Sequence, residues 1–344
     1  MGRFVLYLFT FCASFACARA ALPLLARTCA FRLVDKPGGL KTHAHDVPVL
    51  GGCGIFAGLC ATLVLIRICT QFPTGTLHSL RGIILGGALI FVMGLCDDLR
   101  KPQGLSVWAK LLLQMAATAC LIYYGIVIRV FPSPWLAYPL TFLWVVGLTN
   151  AFNLLDIVDG LCTSQAIVCT LGLALIALPS EFIYVNFAAL SLLGACVAFL
   201  PFNFSRTHKL FLGDSGSNLL GFLIAALCLG TGYSHLSNWG FLAPLLIVFV
   251  PIADISFVTL ARLAQGKNPL KGSNDHAALR LRARGWTDKR LVCTFALGAL
   301  IGNLLAFIVT FCPPACTAII LLGVILAALV LGYQLFRTGG PHAR

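Results

Sequence analysis

Long apolar runs separated by short polar segments dominate the chain. A helix needs about 20 apolar residues to cross the hydrocarbon core of a bilayer, and the pattern provides eleven such segments. They are residues 4–25, 47–66, 68–96, 111–128, 130–155, 160–180 and 182–205, two within 215–253, and two within 291–336. The pattern therefore predicts an all-α polytopic membrane protein with about eleven transmembrane helices, in which residues 1–344 form a single membrane domain.

Composition agrees with this reading. The chain is 59% apolar and 10% charged, whereas soluble proteins are roughly 45–50% apolar and about 25% charged. A soluble enzyme and a disordered chain are both excluded. The net charge of +13 is explained by cytoplasmic loops and anionic lipid, so we expect no nucleic-acid partner. The cysteines lie mostly in apolar runs without a CxxC pair, which favours membrane packing over disulfides or zinc.

The first apolar segment has two interpretations. Arg3, a following apolar stretch and Ala18-Arg19-Ala20 resemble a cleavable signal peptide. We favour an uncleaved helix, because a chain with many spans needs no separate export signal.

Lys and Arg are concentrated in alternate loops and in the C-terminal tail. The positive-inside rule then predicts a cytoplasmic C-terminus and an external N-terminus. The cytoplasmic loops fall near 27–46, 97–110, 152–160, 203–216 and 262–290, and every acidic residue except Glu181 lies on this side. A carboxylate in a bilayer costs at least about 2.5–3.5 kcal/mol and normally has a partner or a task. The distribution predicts one shared polar site at the cytoplasmic surface.

The first acidic motif is the pair Asp97 and Asp98 at the end of the third span. Adjacent carboxylates repel each other, and a divalent cation such as Mg²⁺ or Mn²⁺ relieves that repulsion. The alternative is a pair of solvated acids neutralised by Arg100 and Lys101. The pair alone does not decide between these readings.

The second motif places polar residues at steps of three: Asn150, Asn153, Asp156 and Asp159, followed by Gly160. Such steps put neighbouring members on adjoining helix surface, and we expect the helix to break near Gly160. We favour a ligand site over the alternative, in which an aspartate caps the next helix.

The third motif runs from Asn203 to a glycine-flanked aspartate, Gly213-Asp214-Ser215-Gly216, at the start of the eighth span. Glycines let backbone amides approach a ligand closely, and a helix N-terminus favours anions. Asp214 could hold a metal that itself holds a phosphate, or it could be a plain helix cap.

Together these segments resemble the polyprenyl-phosphate N-acetylhexosamine-1-phosphate transferases of glycosyltransferase family 4, closest to the branch that initiates O-antigen and common-antigen synthesis. The resemblance is carried by LVDKP and a following GG (33–52), GLCDD (94–98), GLS with a later Lys and Gln (104–114), NAFNLLDIVDGL (150–161), and FNF with KLFLGDSGS (202–217). In the ninth loop many members carry a second histidine where this chain has Leu279. That departure puts the identity of the sugar in doubt more than the reaction.

The resemblance implies transfer of a sugar 1-phosphate, expected to be N-acetylhexosamine 1-phosphate, from a UDP-sugar to polyprenyl (undecaprenyl) phosphate with release of UMP. It further implies a multi-pass enzyme of the bacterial inner membrane with its active site facing the cytoplasm, acting in the first membrane step of a cell-surface glycan. A homodimer is compatible with it. The alternative from another class is a secondary transporter, although transport sites tend towards the bilayer midplane.

The resemblance also implies residue roles. Asp98 and Asp214 would hold Mg²⁺, with Mn²⁺ as a substitute, while Asp97 would take a proton from the lipid phosphate or orient it. Asp97, Asp98 and Asp214 are thus the expected catalytic residues. The expected substrate-binding residues are Lys41, Lys110, Asn150, Asn153, Asp156, Asp159, Asn203, Phe211 (against the uracil), His276 and Arg280.

Overall fold

The computed structural model of the protein describes residues 2–29, 33–35, 46–70, 74–178, 183–233, 239–268 and 275–337. The chain divides into two compact units, Met1–Thr231 and Gly232–Arg344. Each unit is built almost entirely from helices. That the two units make one membrane domain stays a prediction.

In the part of the first unit that the structure describes, there are eight helices and one short strand pair. The helices are α1 (Arg3–Cys29), α2 (Gly51–Cys69), α3 (Thr74–Leu99), α4 (Val107–Tyr123), α5 (Pro134–Leu155), α6 (Leu161–Ala177), α7 (Ile183–Phe204) and α8 (Gly213–Gly230). Strands β1 (Val34–Asp35) and β2 (Val47–Pro48) pair in antiparallel fashion before α2.

The second unit opens with a single turn of 3₁₀-helix, Gly240–Leu242. Its helices are α9 (Ala243–Ile247), α10 (Phe249–Ala264), α11 (Ala277–Ala283), α12 (Asp288–Val309) and α13 (Pro314–Arg337). The segments Gly240–Ile247 and Phe249–Ala264 meet at an angle of 65°. Pro251 explains the bend, because its ring clashes with the carbonyl four residues earlier and it donates no hydrogen bond there.

Within the described ranges, eight helices are long and apolar enough to cross a membrane, and a ninth span results if the bent pair counts as one. Helices α4 and α6 are apolar and 17 residues long, at the short end of what spans a bilayer. The prediction of an all-α, multi-pass membrane protein is confirmed. The count of eleven spans and the orientation of the termini stay predictions.

Helix α1 runs parallel to α7 and packs along it. The Ser14 hydroxyl donates to the Ser191 carbonyl at 2.5 Å, and the Arg19 guanidinium lies 4.4 Å from the centroid of the Phe202 ring. The Arg19 charge, which fits poorly in lipid, therefore rests on an aromatic face near the C-terminal end of α7. The interpretation of α1 as an uncleaved helix stays a prediction.

Helices α3 and α8 approach each other very closely. A Cβ atom on Gly94 would lie 2.5 Å from the Asp214 carbonyl oxygen, and one on Gly86 would lie 2.5 Å from the Phe222 ring. The two helices are therefore antiparallel, with the end of α3 beside the start of α8. A further backbone link joins this region to α2, because the Gly51 and Gly52 amides donate to the Phe211 and Leu212 carbonyls.

We predict that Gly94→Ala destabilises the protein. The added methyl would press on the Asp214 backbone, which cannot move aside as a flexible side chain can, and overpacking of this kind costs about 1–3 kcal/mol. Thermal unfolding in detergent should show a lower Tm.

Gly87→Ala is the matched control on the same helix. Its Cβ would meet only the ends of Leu223 and Leu219, at 3.3 and 3.5 Å. Alanine also favours a helix interior over glycine, so this variant should keep or raise the Tm. An equal decrease in Tm in both variants would contradict the close contact inferred at Gly94.

Candidate active site

The three acidic motifs meet at one end of the first unit. Asp97 and Asp98 come from the last turn of α3, Asn153 from the last turn of α5, and Asp214 from the first turn of α8. The Asn153 side chain donates to Asp214 Oδ1 at 3.2 Å, and the Asp214 amide donates to Asp98 Oδ1 at 3.0 Å. The structure therefore assembles residues that lie more than a hundred positions apart.

Lys110, on the first turn of α4, lies between two of these carboxylates. Its Nζ atom is 2.6 Å from Asp97 Oδ2 and 3.4 Å from Asp214 Oδ2. Asp97 Oδ1 also accepts the Leu105 amide at 2.5 Å. Gly104, with a φ of +64°, makes the turn that brings this amide to the carboxylate. Asp97 is thus held by a charge and a backbone donor at once.

Asp98 faces a different way from Asp97. Its Oδ1 atom lies 2.8 Å from Lys101 Nζ and accepts the Asp214 amide, while Oδ2 accepts the Ser215 amide at 2.9 Å. The side chain is completely buried. Solvated acids are therefore the wrong reading of this pair, although Lys101 does neutralise Asp98. A plain helix cap is also wrong for Asp214, because Asp98 is the carboxylate that caps α8.

Lys101 balances this acidic cluster from the loop between α3 and α4. Burial alone would lower the pKa of its ammonium group, but the negative charges of Asp214 and Asp98 outweigh burial and raise that pKa above its usual value. Its Nζ atom lies 3.9 Å from Asp214 Oδ1. Lys101 therefore stays positively charged beside the carboxylates.

Asn150 belongs to a network of amide side chains within the same end of the unit. Its Nδ2 atom donates to Gln114 Oε1 at 2.9 Å and to the Val146 carbonyl at 2.8 Å. Gln114 in turn donates to Asn218 Oδ1 at 3.4 Å, and Asn218 donates to the Asp214 carbonyl at 2.8 Å. The network ties α4, α5 and α8 together. The predicted contact of Asn150 with substrate stays a prediction.

The loop after α5 contains Asp156 and Asp159. Helix α5 ends at Leu155, and Gly160, with a φ of +78°, leads into α6, so the expected break near Gly160 is confirmed. No side chain caps α6, and the alternative of an aspartate cap is wrong. Asp159 instead pairs with Lys209 at 2.5 Å.

Asn203 holds this loop against the segment that precedes α8. Its Oδ1 accepts the Gly160 amide at 2.6 Å, and its Nδ2 donates to the Leu210 carbonyl at 3.0 Å. The side chain is buried. Both polar ends thus contact backbone, and the predicted role of Asn203 in substrate binding stays a prediction.

Phe211 lies in the segment that precedes α8 and forms a parallel β-bridge with Val49. The Lys209 ammonium group, already paired with Asp159, lies 5.3 Å from the centroid of the Phe211 ring. Such a cation over an aromatic face contributes roughly 0.5–1 kcal/mol at an exposed site. The backbone of Phe211 is therefore fixed by its bridge to Val49, and its ring is contacted by Lys209, which Asp159 holds in place.

His276 and Arg280 belong to the second unit. His276 Nδ1 lies 2.8 Å from Asp254 Oδ2, and the Ala277 amide donates to Asp254 Oδ1 at 3.1 Å. Arg280 pairs with Asp275 at 3.0 Å and donates to the Leu335 carbonyl at 3.2 Å. Both side chains are buried and engaged within this unit, so their predicted pyrophosphate contacts stay predictions. Lys41 lies outside the described residues.

The amino-acid sequence of the chain is similar to those of known glycosyl transferases. Residues 80–232 match the model of glycosyl transferase family 4. A probable undecaprenyl-phosphate N-acetylglucosaminyl 1-phosphate transferase of Bacillus subtilis (strain 168) is 31% identical over 285 residues, which cover 80% of this chain and 76% of that protein. The chain belongs to the polyprenyl-phosphate N-acetylhexosamine-1-phosphate transferases of glycosyl transferase family 4. The family resemblance is confirmed.

Other members of the family are similar over most of their length. The decaprenyl-phosphate N-acetylglucosaminephosphotransferase of Mycobacterium tuberculosis (strain ATCC 25618 / H37Rv) is 28% identical, over 86% of this chain and 80% of that protein. The undecaprenyl-phosphate alpha-N-acetylglucosaminyl 1-phosphate transferase of Yersinia pestis is 24% identical, over 98% and 92%. These relatives give no support to the transporter alternative.

The resemblance to this family implies a magnesium ion, which would need suitably placed acidic side chains as ligands. Across the described residues, no three or more Asp, Glu, His or Cys side chains are placed to hold a metal together. Mg²⁺ is usually bound by one or two carboxylates, with water and substrate phosphates completing its shell. Asp97 and Asp214 both contact Lys110 Nζ and fit that pattern. Asp98 fits it less well, because its side chain is fully buried and accepts three donors, two of them backbone amides.

Three residues of this region escaped the sequence-based selection. Lys101, Gln114 and Lys209 make the contacts described above, and each had a weak signal. Lys101 stands three positions after Asp98, and Gln114 follows Lys110 by one helical turn in an otherwise apolar helix. Lys209 stands in the KLFLGDSGS segment. For each of the three, the available signal in the sequence was a polar side chain at helical or loop spacing from the acidic residues.

We predict that Asp156 makes stability depend on pH. Burial raises the pKa of Asp156 from its ordinary 3.8 to about 7, and the negative charge of Asp214 adds to the rise. The folded protein therefore keeps this proton to a higher pH than the unfolded chain does, and folding loses stability as pH rises through that interval. Asp156→Asn removes the effect.

The measurement is the Tm in detergent at about pH 5 and about pH 8. The Tm of Asp156→Asn should rise relative to that of the wild type as pH increases, and the variant should be the more stable protein at the higher pH. Ser205→Ala, an uncharged change in a neighbouring loop, should shift the Tm equally at both. If the difference in Tm between Asp156→Asn and the wild type were the same at both pH values, the raised pKa of Asp156 would be contradicted.

Proposed function

We propose that the protein transfers N-acetylhexosamine 1-phosphate, with N-acetylglucosamine as the first candidate sugar, from a UDP-sugar to a polyprenyl phosphate. An oxygen of the lipid phosphate forms a bond to the sugar-bearing phosphorus, and the bond from that phosphorus to the UMP oxygen breaks. The observation that carries the proposal is the meeting of Asp97, Lys110 and Asp214 where three helix ends converge. The named activities of the relatives support it.

Phosphoryl transfer depends chiefly on positioning and on neutralising charge. The second pKa of a phosphate monoester is about 6, so the attacking oxygen is largely ionised at neutral pH and needs orientation more than a strong base. We therefore favour direct displacement, with Asp97 as an orienting group. Lys101 and Lys110 balance the phosphate charge from opposite sides of Asp214.

Asp97 and Asp214 are the residues that would hold Mg²⁺ or Mn²⁺. A bound cation of this kind neutralises the negative charge on the transferred phosphate. Lys110 separates the two carboxylates and keeps them close enough to share a ligand. Asn153 fixes the second of them through its contact at Oδ1.

The location of the site suits its two substrates. The lipid phosphate stays at the membrane interface, whereas a UDP-sugar arrives from water. The acidic residues lie at the ends of membrane-spanning helices, where both can arrive. The distribution of Lys and Arg supports a cytoplasmic position of this end, and the location in a bacterial inner membrane stays a prediction. A homodimer stays a prediction.

The test is an assay of the purified protein in detergent. It is incubated with undecaprenyl phosphate, Mg²⁺ and one member of a UDP-sugar panel, and UMP and the lipid product are measured. We expect both products with UDP-N-acetylglucosamine or another UDP-N-acetylhexosamine, and neither after chelation of the metal. Solute uptake into proteoliposomes without UMP release would contradict the proposal.

Asp97→Asn and Asp214→Asn should lose activity by about 10²–10³-fold or more, because each removes a charge that acts on the transferred phosphate. The rate of UMP release measures the loss. Both variants should stay in the membrane at the wild-type level, which separates a catalytic defect from misfolding. Wild-type turnover in either variant would remove the role given to that residue.

The pair of Asp159 and Lys209 should affect binding of the nucleotide. If Phe211 packs on the uracil, then Asp159 acts by holding Lys209 beside that ring. Asp159→Asn and Lys209→Met should each raise the KM for the UDP-sugar about three- to tenfold, and the double variant should raise it no further than the larger single change. A double variant that combines both single effects in full would mean that Asp159 contacts the substrate independently of Lys209.

A further inference from the structure

The carboxylate of Asp98 accepts three donors from the protein itself. Oδ1 receives the Lys101 ammonium group and the Asp214 amide, and Oδ2 receives the Ser215 amide, at 2.8, 3.0 and 2.9 Å. The side chain is 0% exposed, against 4% for that of Asp97 and 23% for that of Asp214. A buried carboxylate with three donors has little capacity left for a further ligand.

The amides that Asp98 accepts are those of the first turn of α8. Helices leave their first four N–H groups without partners inside the helix, and here a residue of another helix supplies the acceptors. The negative charge also lies at the positive end of the α8 dipole. Asp98 therefore caps the N-terminus of α8 from another helix, whereas a capping side chain normally comes from the residue just before the helix.

Two glycines make this approach possible. Gly94 brings the backbone of α3 against the Asp214 carbonyl, and Gly213 has a φ of +76°. A Cβ atom on Gly213 would lie 2.7 Å from Asp98 Oδ2. The local backbone is thus shaped around the Asp98 carboxylate, which points to a fixed structural contact.

We propose that Asp98 is a positioning residue that caps α8 from α3 and so sets the place of Asp214, and that it does not ligate the cation. The inference rests on the proposed function for the role of Asp214, but the capping contact itself does not. It reassigns one of the two residues expected to hold magnesium, and leaves the two carboxylates that face Lys110 for that task. The adjacent acids Asp97 and Asp98 then have separate duties.

Hydrogen exchange tests the cap directly. Asp98→Asn keeps one acceptor oxygen and replaces the other by an NH₂ group, so at least one of the two backbone amides loses its acceptor. Exchange measured by mass spectrometry should accelerate about tenfold or more in a peptide that contains the Asp214 and Ser215 amides. Asp214→Asn should leave that peptide protected, because the acceptors belong to Asp98.

Thr287→Ala is the matched control for removal of a cap. The Thr287 hydroxyl accepts the Arg290 amide at the start of α12, so its loss should speed exchange there and leave α8 unchanged. Wild-type protection of the α8 peptide in Asp98→Asn would overturn the proposal.

Metal binding is the second readout. The free Mn²⁺ signal in electron paramagnetic resonance gives the Kd for Mn²⁺ in the presence of UDP-N-acetylglucosamine. Asp214→Asn should raise this Kd at least tenfold, and Asp98→Asn less than threefold. An equal rise in both variants would overturn the proposal. If wild-type protein bound no Mn²⁺, the metal role in the proposed function would fail while the exchange result still decided the cap.

Discussion

The contact between α3 and α8 is the constraint on which the site depends. Gly94 removes the side chain that would keep the two backbones apart, and the last turn of α3 then reaches the first turn of α8. Two consequences follow from that one approach. Asp98 meets the unpaired amides of α8, and Asp97 meets Asp214 across Lys110. Because a buried amide or carboxylate without a partner is costly, these contacts also make the approach stable.

Charge balance is the second organising feature. Asp97, Asp98 and Asp214 lie within reach of two lysines, Lys101 and Lys110. The lysines come from the loop and helix that immediately follow α3, so one stretch of chain supplies two of the three acids and both lysines. Charges so placed in a partly dry site interact more strongly than in water, which suits a reaction that gathers several phosphate oxygens in one place.

Polar residues around the acids serve largely to hold the backbone. Asn203 joins the loop after α5 to the segment before α8, and Asn150 takes part in an amide network with Gln114. In the second unit, His276 and Arg280 are engaged by Asp254 and Asp275. Residue type alone could not distinguish these duties from ligand binding, because an amide or a guanidinium uses the same donors for either.

The amino-acid sequence by itself determined the membrane class, the family and the acidic motifs, since apolar run length and motif spacing are properties of the chain alone. It also indicated the break at Gly160. The tertiary structure decided how Asp97 and Asp98 divide their contacts, and that Lys110, thirteen positions onward, lies between Asp97 and Asp214. Neighbouring residues on a helix end point in different directions, and only the packing of α3 against α8 determines which of them meets a helix end and which meets a lysine.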